Sequence, residues 1–350
     1  MPRLRSCAPG LAALALACAS APVTPLLDDW ESVAQVDEVR PRWPAPPAEA
    51  HVVYLGSIET RHSFEPRPSF WRRAVALLKG DEGGLRFVRP AGLCVFGSTL
   101  AVADPGAGVV HLLDLERRSW QAWSETAAGP LRSPVGVACL PDGRLVVSDS
   151  KLEALFAYDP LEKRDQPFVE GPLRRPTGLA YDAVHERVWL TETLEHRVRA
   201  FDLAGRELLR VGARGAATGR FNFPTRIAAD AQGGAWLTDS LNFRLHHVAS
   251  DGSLDRHFGV AGDRTGTFAR PRGLAVDAAG RILVVDALMD AVQIFDEQGR
   301  LLLAFGGRGS RPGQLWLPSG IALDDEGHLF VADSYNRRVQ IFAYRPPREN

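Results

Sequence analysis

The sequence of 350 residues is short of the features that define several common classes of protein. Its apolar runs fall far below the roughly 20 residues of a membrane-spanning helix, which excludes a polytopic membrane protein. Basic and acidic residues number 41 and 42, for a net charge of −1. This balance leaves no general basic field, so the sequence excludes unselective binding of nucleic acid.

Motifs that carry chemistry are missing as well. The four cysteines form no Cys-x-x-Cys pair and no cluster with histidine, which excludes a structural zinc site. No Gly-x-Ser-x-Gly, His-Glu-x-x-His, Walker or dinucleotide-binding sequence occurs. His246 and His247 are adjacent in a predicted strand, where alternation sends their rings to opposite faces, so they do not form a joint metal site.

Two of the cysteines, Cys94 and Cys139, lie in the body of the chain. Both are flanked by apolar residues, and this setting favours buried free thiols. A disulfide between them is the alternative, because an exported protein can form one.

The N-terminal residues are typical of an exported protein. Residues 1–17 combine two early arginines with a short run of Leu and Ala, as in a signal peptide. The run ends in Ala-Leu-Ala-Cys, which resembles a bacterial lipobox and predicts lipidation of Cys18; an ordinary cleaved signal is the alternative. Residues 18–50 are rich in Pro and Ala and predict an extended tether. Together these features predict an exported protein, lipid-anchored in the bacterial cell envelope, at the outer membrane or in the periplasm.

The strongest signal is an internal repeat. Each unit opens with a proline followed by a short apolar run, and the six prolines are Pro90, Pro134, Pro176, Pro224, Pro271 and Pro318. The units contain strand-length apolar runs separated by turns, and no long segment of helical periodicity. Four short strands in each unit predict an antiparallel blade. Six such units predict an all-β, six-bladed β-propeller, in which radial packing buries both faces of each blade.

The last unit has no fourth strand of its own. Its third predicted strand ends at Phe342 and is followed by Arg-Pro-Pro. Residues 52–56 match the pattern of residues 302–306, the fourth predicted strand of the fifth unit. We therefore expect an N-terminal strand to complete the last blade and close the ring. The propeller domain is accordingly predicted at residues 51–350.

The repeat motifs resemble NHL repeats. A Pro-x-Gly-Ile-Ala opening, a turn with Gly, Val-Ala-Asp-Ser, and Asn-x-Arg before an apolar strand follow in this order, most closely in residues 239–244 and 333–339. The resemblance covers residues 51–344 and implies a six-bladed β-propeller. The first copy departs from it, because Asp104-Pro105-Gly106 lacks the Asn and the Arg, and the fourth has Arg226 in place of Gly.

A short helix is predicted near residues 68–79, between the closing strand and the first unit. Phe70, Trp71, Ala74 and Leu77 fall on one face of it. A helix that caps the propeller is the favoured interpretation, and a membrane-surface helix is the alternative.

An acidic residue ends the second predicted strand of every unit, and a ring brings all six to one face. These acids are Asp104, Asp149, Glu192, Asp239, Asp286 and Asp333. Their repetition favours a structural role, as acceptors of hydrogen bonds from the following turn, over a metal or acid/base site. Glu192 is the odd member, and with nearby His196 it forms the one candidate catalytic pair.

The loops that lead from each fourth strand to the next proline fall on the same face, because strands alternate in direction. These loops are rich in Gly and carry eight arginines, namely Arg174, Arg175, Arg214, Arg220, Arg264, Arg270, Arg308 and Arg311. Guanidinium groups bind carboxylates and phosphates through forked hydrogen bonds, so the loops predict a binding face. The alternative is a solvated surface whose arginines pair with the ring of acids.

These features favour a non-enzymatic scaffold that binds a protein, a peptide or a glycan and uses no cofactor. Its membrane contact is predicted to be the lipid anchor alone, and no nucleic acid is expected as a partner. The alternative is a metal-dependent enzyme resembling the lactonase, esterase and lyase propellers, with a divalent metal in the central channel. No matching ligand set can be assigned residue by residue. Animal NHL ubiquitin ligases add a zinc RING, and the missing RING cysteines exclude that activity here.

Overall fold

The computed structural model describes residues 40–45, 48–65 and 84–346, and these form a ring of six antiparallel sheets. The predicted six-bladed β-propeller is confirmed. Five sheets have four strands and the sixth has five. Within the described ranges, no helix has the length and the apolar composition to cross a membrane.

Blades 1 to 3 occupy the first half of the ring. Blade 1 contains β3 Gly92–Phe96, β4 Thr99–Asp104, β5 Val109–Asp114 and β6 Ser119–Trp123. A hairpin of β7 Glu125–Thr126 and β8 Gly129–Pro130 follows it. Blade 2 contains β9 Pro134–Cys139, β10 Leu145–Asp149, β11 Ala154–Asp159 and β12 Arg164–Pro167. Blade 3 contains β13 Pro176–Asp182, β14 Arg187–Glu192, β15 Arg197–Asp202 and β16 Glu207–Val211, with a 3-10 helix at Thr193–Glu195.

Blades 4 to 6 complete the ring. Blade 4 contains β17 Pro224–Ala229, β18 Ala235–Asp239, β19 Arg244–Val248 and β20 Leu254–Phe258. Blade 5 contains β21 Pro271–Val276, β22 Ile282–Asp286, β23 Ala291–Phe295 and β24 Leu301–Gly306. Blade 6 contains β25 Ile321–Leu323, β26 His328–Asp333 and β27 Arg338–Tyr344, together with β1 Arg42–Trp43 and β2 Val52–Ile58 from the N-terminal side.

The N-terminal strand β2 closes the ring as expected. It pairs antiparallel with β27, from Val52 opposite Tyr344 to Ile58 opposite Val339. The sheet continues outward into β1, and the ring of Trp43 packs 5.6 Å from that of Phe305 in blade 5. The predicted tether of residues 18–50 is therefore too long at its C-terminal end, because β1 belongs to the propeller.

Several predicted N-terminal features lie outside the described residues. These are the signal at 1–17, the lipidated Cys18 and the helix near 68–79. The structure instead shows a one-turn helix, α1 Arg61–Phe64, capped by the Thr60 side chain, which accepts a hydrogen bond from the Ser63 amide. Phe64 of this helix is buried, with its ring centroid 6.2 Å from that of Trp120.

The apolar core is divided among the spaces between neighbouring blades. Six clusters of buried residues are present in the described structure, and each draws on two adjacent blades. Trp189 of blade 3, for example, shares a cluster with Leu237 of blade 4. No blade has a core of its own, so burial requires the assembled ring.

Glycines in the innermost strands explain the Pro-x-Gly signature. A Cβ at Gly136 would overlap the carbonyl oxygen of Thr177 in the next blade, and one at Gly320 would overlap that of Ala91. The backbones therefore approach more closely than any side chain allows. Five blades have Gly at this position, and only the fourth has a side chain there, that of Arg226.

Hydroxyl groups fasten one blade to the next. The residue after the acid that ends the second strand donates to the carbonyl oxygen of the following blade's proline in four places, namely Ser150 to Pro176 at 2.6 Å, Thr193 to Pro224 at 2.8 Å, Ser240 to Pro271 at 3.1 Å and Ser334 to Pro90 at 2.6 Å. The last of these bonds joins blade 6 to blade 1. The Asp-Ser pair in the repeat thus ends a strand and links two blades.

Cys94 and Cys139 form a disulfide, so the expectation of free thiols was wrong. Their Cα atoms lie 5.7 Å apart on β3 and β9, the innermost strands of blades 1 and 2. Cys94 is the fourth residue after its proline and Cys139 the fifth, so alternation puts them on opposite faces of their strands. Opposite faces of neighbouring blades point toward each other, and this brings the two sulfurs together.

Replacing both cysteines, with Cys94→Ala and Cys139→Ala together, is expected to lower the free energy of unfolding by about 2–4 kcal/mol. The bond closes a loop with a sequence separation of 45 and restrains the unfolded chain. Urea unfolding of the oxidised protein measures the effect. Wild-type protein under reducing conditions is the control and should match the double variant. Equal stability of the variant and the oxidised protein would contradict a stabilising bond.

Candidate binding face

The upper face of the propeller carries the loops that lead into each proline and the turns that follow each second strand. The six acids that end the second strands are fully buried beneath it. Asp104 accepts hydrogen bonds from the amides of Val88 and Arg89 at 2.7 and 2.9 Å. It also accepts from the turn that follows, through Gly106 and Ala107 at 3.0 and 3.1 Å. The acid therefore joins the incoming loop to the turn.

Side-chain partners complete this pattern in blades 4 and 6. Asp333 accepts from the Trp316 amide at 2.8 Å, from the Asn336 side chain at 2.8 Å and from Arg338 Nε at 2.8 Å. Asp239 accepts in the same way from Asn242 and Arg244, at 2.7 and 3.0 Å. In the Asn-x-Arg part of the repeat, the Asn side chain thus donates a hydrogen bond to the acid and the Arg guanidinium balances its charge. The structural interpretation of the ring of acids is confirmed.

Glu192 and His196 are committed to separate structural contacts. Glu192 accepts from the Arg174 amide at 2.9 Å and from Arg197 Nε at 2.7 Å. His196 Nδ1 accepts from the Phe223 amide at 3.1 Å, and the His196 side chain is buried. Burial, and then the positive charge of Arg214, lowers the pKa of His196. No hydrogen bond or ion pair joins Glu192 to His196 in the described structure, so the geometry brings no acid/base pair together.

The two adjacent histidines also have different surroundings, in line with the prediction. The ring of His246 stacks on that of His257, with centroids 5.4 Å apart. His247 lies between two carboxylates, with Nε2 2.6 Å from Asp230 and Nδ1 2.5 Å from Asp255. Burial raises the pKa of Asp230, but its contacts with His247 and with backbone amides outweigh burial and hold the pKa below its usual value.

The central channel does not fit the metal of the enzyme alternative. It is lined by glycines, by Leu and Ile side chains and by Arg226. Among the residues that the structure describes, no group of three or more His, Cys, Asp or Glu side chains has the arrangement of a metal site. A guanidinium group beside the axis also disfavours a divalent cation by charge repulsion.

All eight predicted arginines of the loops are exposed on the upper face. Within the described residues only one of them, Arg174, has a carboxylate within ion-pair distance, Glu153 at 3.8 Å. None pairs with the ring of acids, which is occupied by backbone amides and by arginines of the third strands. The alternative prediction, in which the loop arginines pair with the ring of acids, was therefore wrong, and the charges of these arginines face solvent.

An apolar rim on this face was missed from the sequence. The second residue after the acid is exposed and apolar or aromatic in four consecutive blades, Leu194, Leu241, Leu288 and Tyr335, at 41%, 49%, 56% and 45% exposure. Trp316, 41% exposed, adds a ring 5.6 Å from that of Tyr335. The repeated position after the acid was the signal that could have identified the rim.

Comparison with known families and structures agrees with this architecture. The family model of the NHL repeat matches residues 315–342. No curated protein matches the sequence. An auxiliary nutrient binding protein from Bacteroides thetaiotaomicron has 14% identity and a TM-score of 0.59, with 74% of this chain and 70% of that one covered.

Two further solved structures share the fold. A protein of unknown function from Bacteroides thetaiotaomicron has 15% identity and a TM-score of 0.58, covering 82% of this chain and 75% of the other. The virginiamycin B lyase from Staphylococcus aureus has 12% identity and a TM-score of 0.56, covering 73% of this chain and 95% of the lyase. At such identities the likeness shows the fold alone. The protein is a six-bladed β-propeller of four-stranded blades. More particularly, residues 315–342, which include strands of its last blade, match the NHL repeat.

Proposed function

We propose that the protein is an exported, non-enzymatic scaffold whose upper face captures an acidic segment of a partner protein or peptide. The observation that carries the proposal is the exposure of eight arginines on the loops of one face, where the buried acids below are already paired. Exposed guanidinium groups on loops bind carboxylates through forked hydrogen bonds.

The apolar rim defines the second property of the partner. Leu194, Leu241, Leu288 and Tyr335 give apolar contact area beside the arginines. Neighbouring apolar and cationic groups favour a segment that alternates acidic and apolar side chains, and aromatic and arginine residues are the usual anchors of such interfaces. A glycan is the less favoured partner, since it offers few groups for the leucines.

Export is part of the proposal. The Cys94–Cys139 disulfide supports it, because such bonds persist in oxidising compartments. The signal sequence and Cys18 support a lipid anchor in the bacterial cell envelope, with the membrane contacted only through that anchor. Nucleic acid is not expected as a partner of an exported protein with a net charge of −1.

Charge reversal on the upper face tests this function. The combined change Arg220→Glu and Arg264→Glu is expected to weaken binding of a fluorescent peptide rich in Glu and Leu at least about tenfold, because charged contacts are worth about 1.5–3 kcal/mol each. Fluorescence anisotropy at increasing salt measures the affinity. Peptides with Lys in place of Glu, or Ser in place of Leu, are expected to bind more weakly.

A matched control is available at the opposite face. Lys163→Glu with Arg164→Glu changes the charge equally, at exposed residues beside the turn between the third and fourth strands of blade 2. This control should bind the peptide as the wild type does. Equal losses of peptide affinity in both double variants would show that only the net charge of the protein matters. Absence of peptide binding by the wild type would overturn the proposal. Capture of an acidic polysaccharide alone would overturn the choice of a peptide.

A further inference from the structure

Arginines gather where the axial channel opens on the upper face. Arg175 and Arg270 directly precede the prolines that begin the innermost strands of blades 3 and 5, and Arg272 follows the second of these prolines. Arg226 lies one residue further along its own innermost strand, in blade 4. Four arginines from three neighbouring blades therefore lie at one half of the channel mouth, at two depths.

Arg272 is partly buried and lacks an acidic partner. In the described structure no carboxylate lies within ion-pair distance of it, nor of Arg175 or Arg270. Burial, and then the positive charge of Arg270, lowers the pKa of Arg272, and the charge of Arg175 adds to the same effect. Gathering unpaired cations in a partly desolvated place costs free energy unless an anion joins them.

Arg226 extends this positive charge into the channel. Its Nη1 donates to the carbonyl oxygen of Val135 in blade 2 at 2.9 Å, and its Nη2 lies 3.5 Å from Ser319 Oγ in blade 6. Both partners are neutral, so the guanidinium charge stays uncompensated. Burial, and then the charge of Arg272, lowers the pKa of Arg226 to about 10, and the group remains charged at neutral pH.

Glycines of the innermost strands line the same channel. Gly92, Gly136, Gly273 and Gly320 lie there with Arg226. A Cβ at any of the four would meet the backbone of the next blade, so these glycines bring the strands close together and keep the channel narrow. Larger ligands are excluded, because the innermost strands are in close backbone contact around the axis.

We propose that this channel mouth binds a small, multiply charged oxyanion, such as inorganic phosphate or a polycarboxylate. Arg272 and Arg226 provide the inner contacts, and Arg175 and Arg270 lie at the rim. Several forked donors around one axis match the many acceptor oxygens of such a ligand, whereas a monovalent carboxylate engages only part of them. Arg175 and Arg270 also belong to the eight loop arginines of the upper face, whereas the inner contacts Arg226 and Arg272 do not.

Calorimetric titration of the purified protein with phosphate and with citrate tests the site. Acetate at the same ionic strength is the monovalent comparison. The wild type is expected to bind phosphate or citrate at least about tenfold more tightly than acetate, because each charged hydrogen bond adds about 1.5–3 kcal/mol. Arg272→Gln is expected to weaken this binding at least about tenfold.

Matched variants separate the site from general charge and from peptide binding. Arg164→Gln removes the same charge from an exposed residue at the opposite face, at the start of β12, and should leave the anion affinity unchanged. Arg226→Gly installs the residue that the other five blades have, and should fold while losing anion affinity. Equal binding of acetate, or full affinity of Arg272→Gln, would overturn the proposal. If the double variant Arg220→Glu with Arg264→Glu loses the peptide but still binds the anion, the anion site is supported independently of the proposed peptide binding.

Discussion

A protein that lacks residues 51–58 is expected to lose its cooperative thermal transition. These residues include the whole of β2, the fourth strand of blade 6, and Val52, Val53 and Ile58 on it are at most 1% exposed. Full burial of an apolar side chain stabilises by about 1.5–3 kcal/mol, so three of them contribute about 5–9 kcal/mol. That is close to the total stability of a typical protein, about 5–15 kcal/mol.

The loss also reaches beyond one blade. Val52 belongs to the cluster between blades 5 and 6, and Ile58 to the cluster between blades 6 and 1. Circular dichroism during heating measures the transition, with Val53→Asp and Ser57→Asp as point variants in the same strand. The buried Val53 change should mimic the deletion, and the change at the less buried Ser57 should be mild. A shortened protein that melts as the wild type does would contradict closure by β2.

The second large effect is expected at the acid of the last blade. Asp333→Ala should lower the free energy of unfolding by about 3–5 kcal/mol, because removing one member of a buried ion pair leaves its partner uncompensated. The stranded groups are the Arg338 guanidinium, the Trp316 amide and the side chain of Gln340, whose Nε2 donates to Asp333 Oδ2 at 2.9 Å. Denaturant unfolding monitored by tryptophan fluorescence measures the loss.

Asp325→Ala is the matched control, because Asp325 lies exposed in the turn before β26. It should change the free energy of unfolding by less than about 0.5 kcal/mol. If both variants were equally stable, the buried acids would not fasten the loops, and a functional role for them would have to be reconsidered. Loss of stability confined to Asp333→Ala supports the structural role.

The features that the sequence predicted correctly are those written into every repeat. Proline, glycine and the acid recur because each blade makes the same backbone contacts. Gly136, for example, packs against the Thr177 carbonyl of the next blade, and Asp333 accepts from the Trp316 amide of the loop that enters its own blade. Ring closure by β2 also followed from local pattern, since a missing strand at one end matched a spare strand at the other. Periodic constraints of this kind are visible without coordinates.

What the sequence did not reveal depends on contacts between different repeats. The Cys94–Cys139 bond needs the facing sides of two blades, and β1 needs the edge that β2 presents. Arg226 showed only as a departure from Gly, whereas its reach to blades 2 and 6 depends on the width of the channel. Side chains that cross the axis have no local signature.

Closure by an N-terminal strand has a consequence for biosynthesis. During synthesis β2 emerges before every blade, yet its partner β27 emerges only after the strands of the other five blades. The strands of blades 1 to 5 can pair while the chain is still emerging, but those of blade 6 cannot. Until then β2 has an unpaired, apolar edge, and such exposed edges promote aggregation. Correct folding therefore requires that β2 stays unpaired until β27 has emerged.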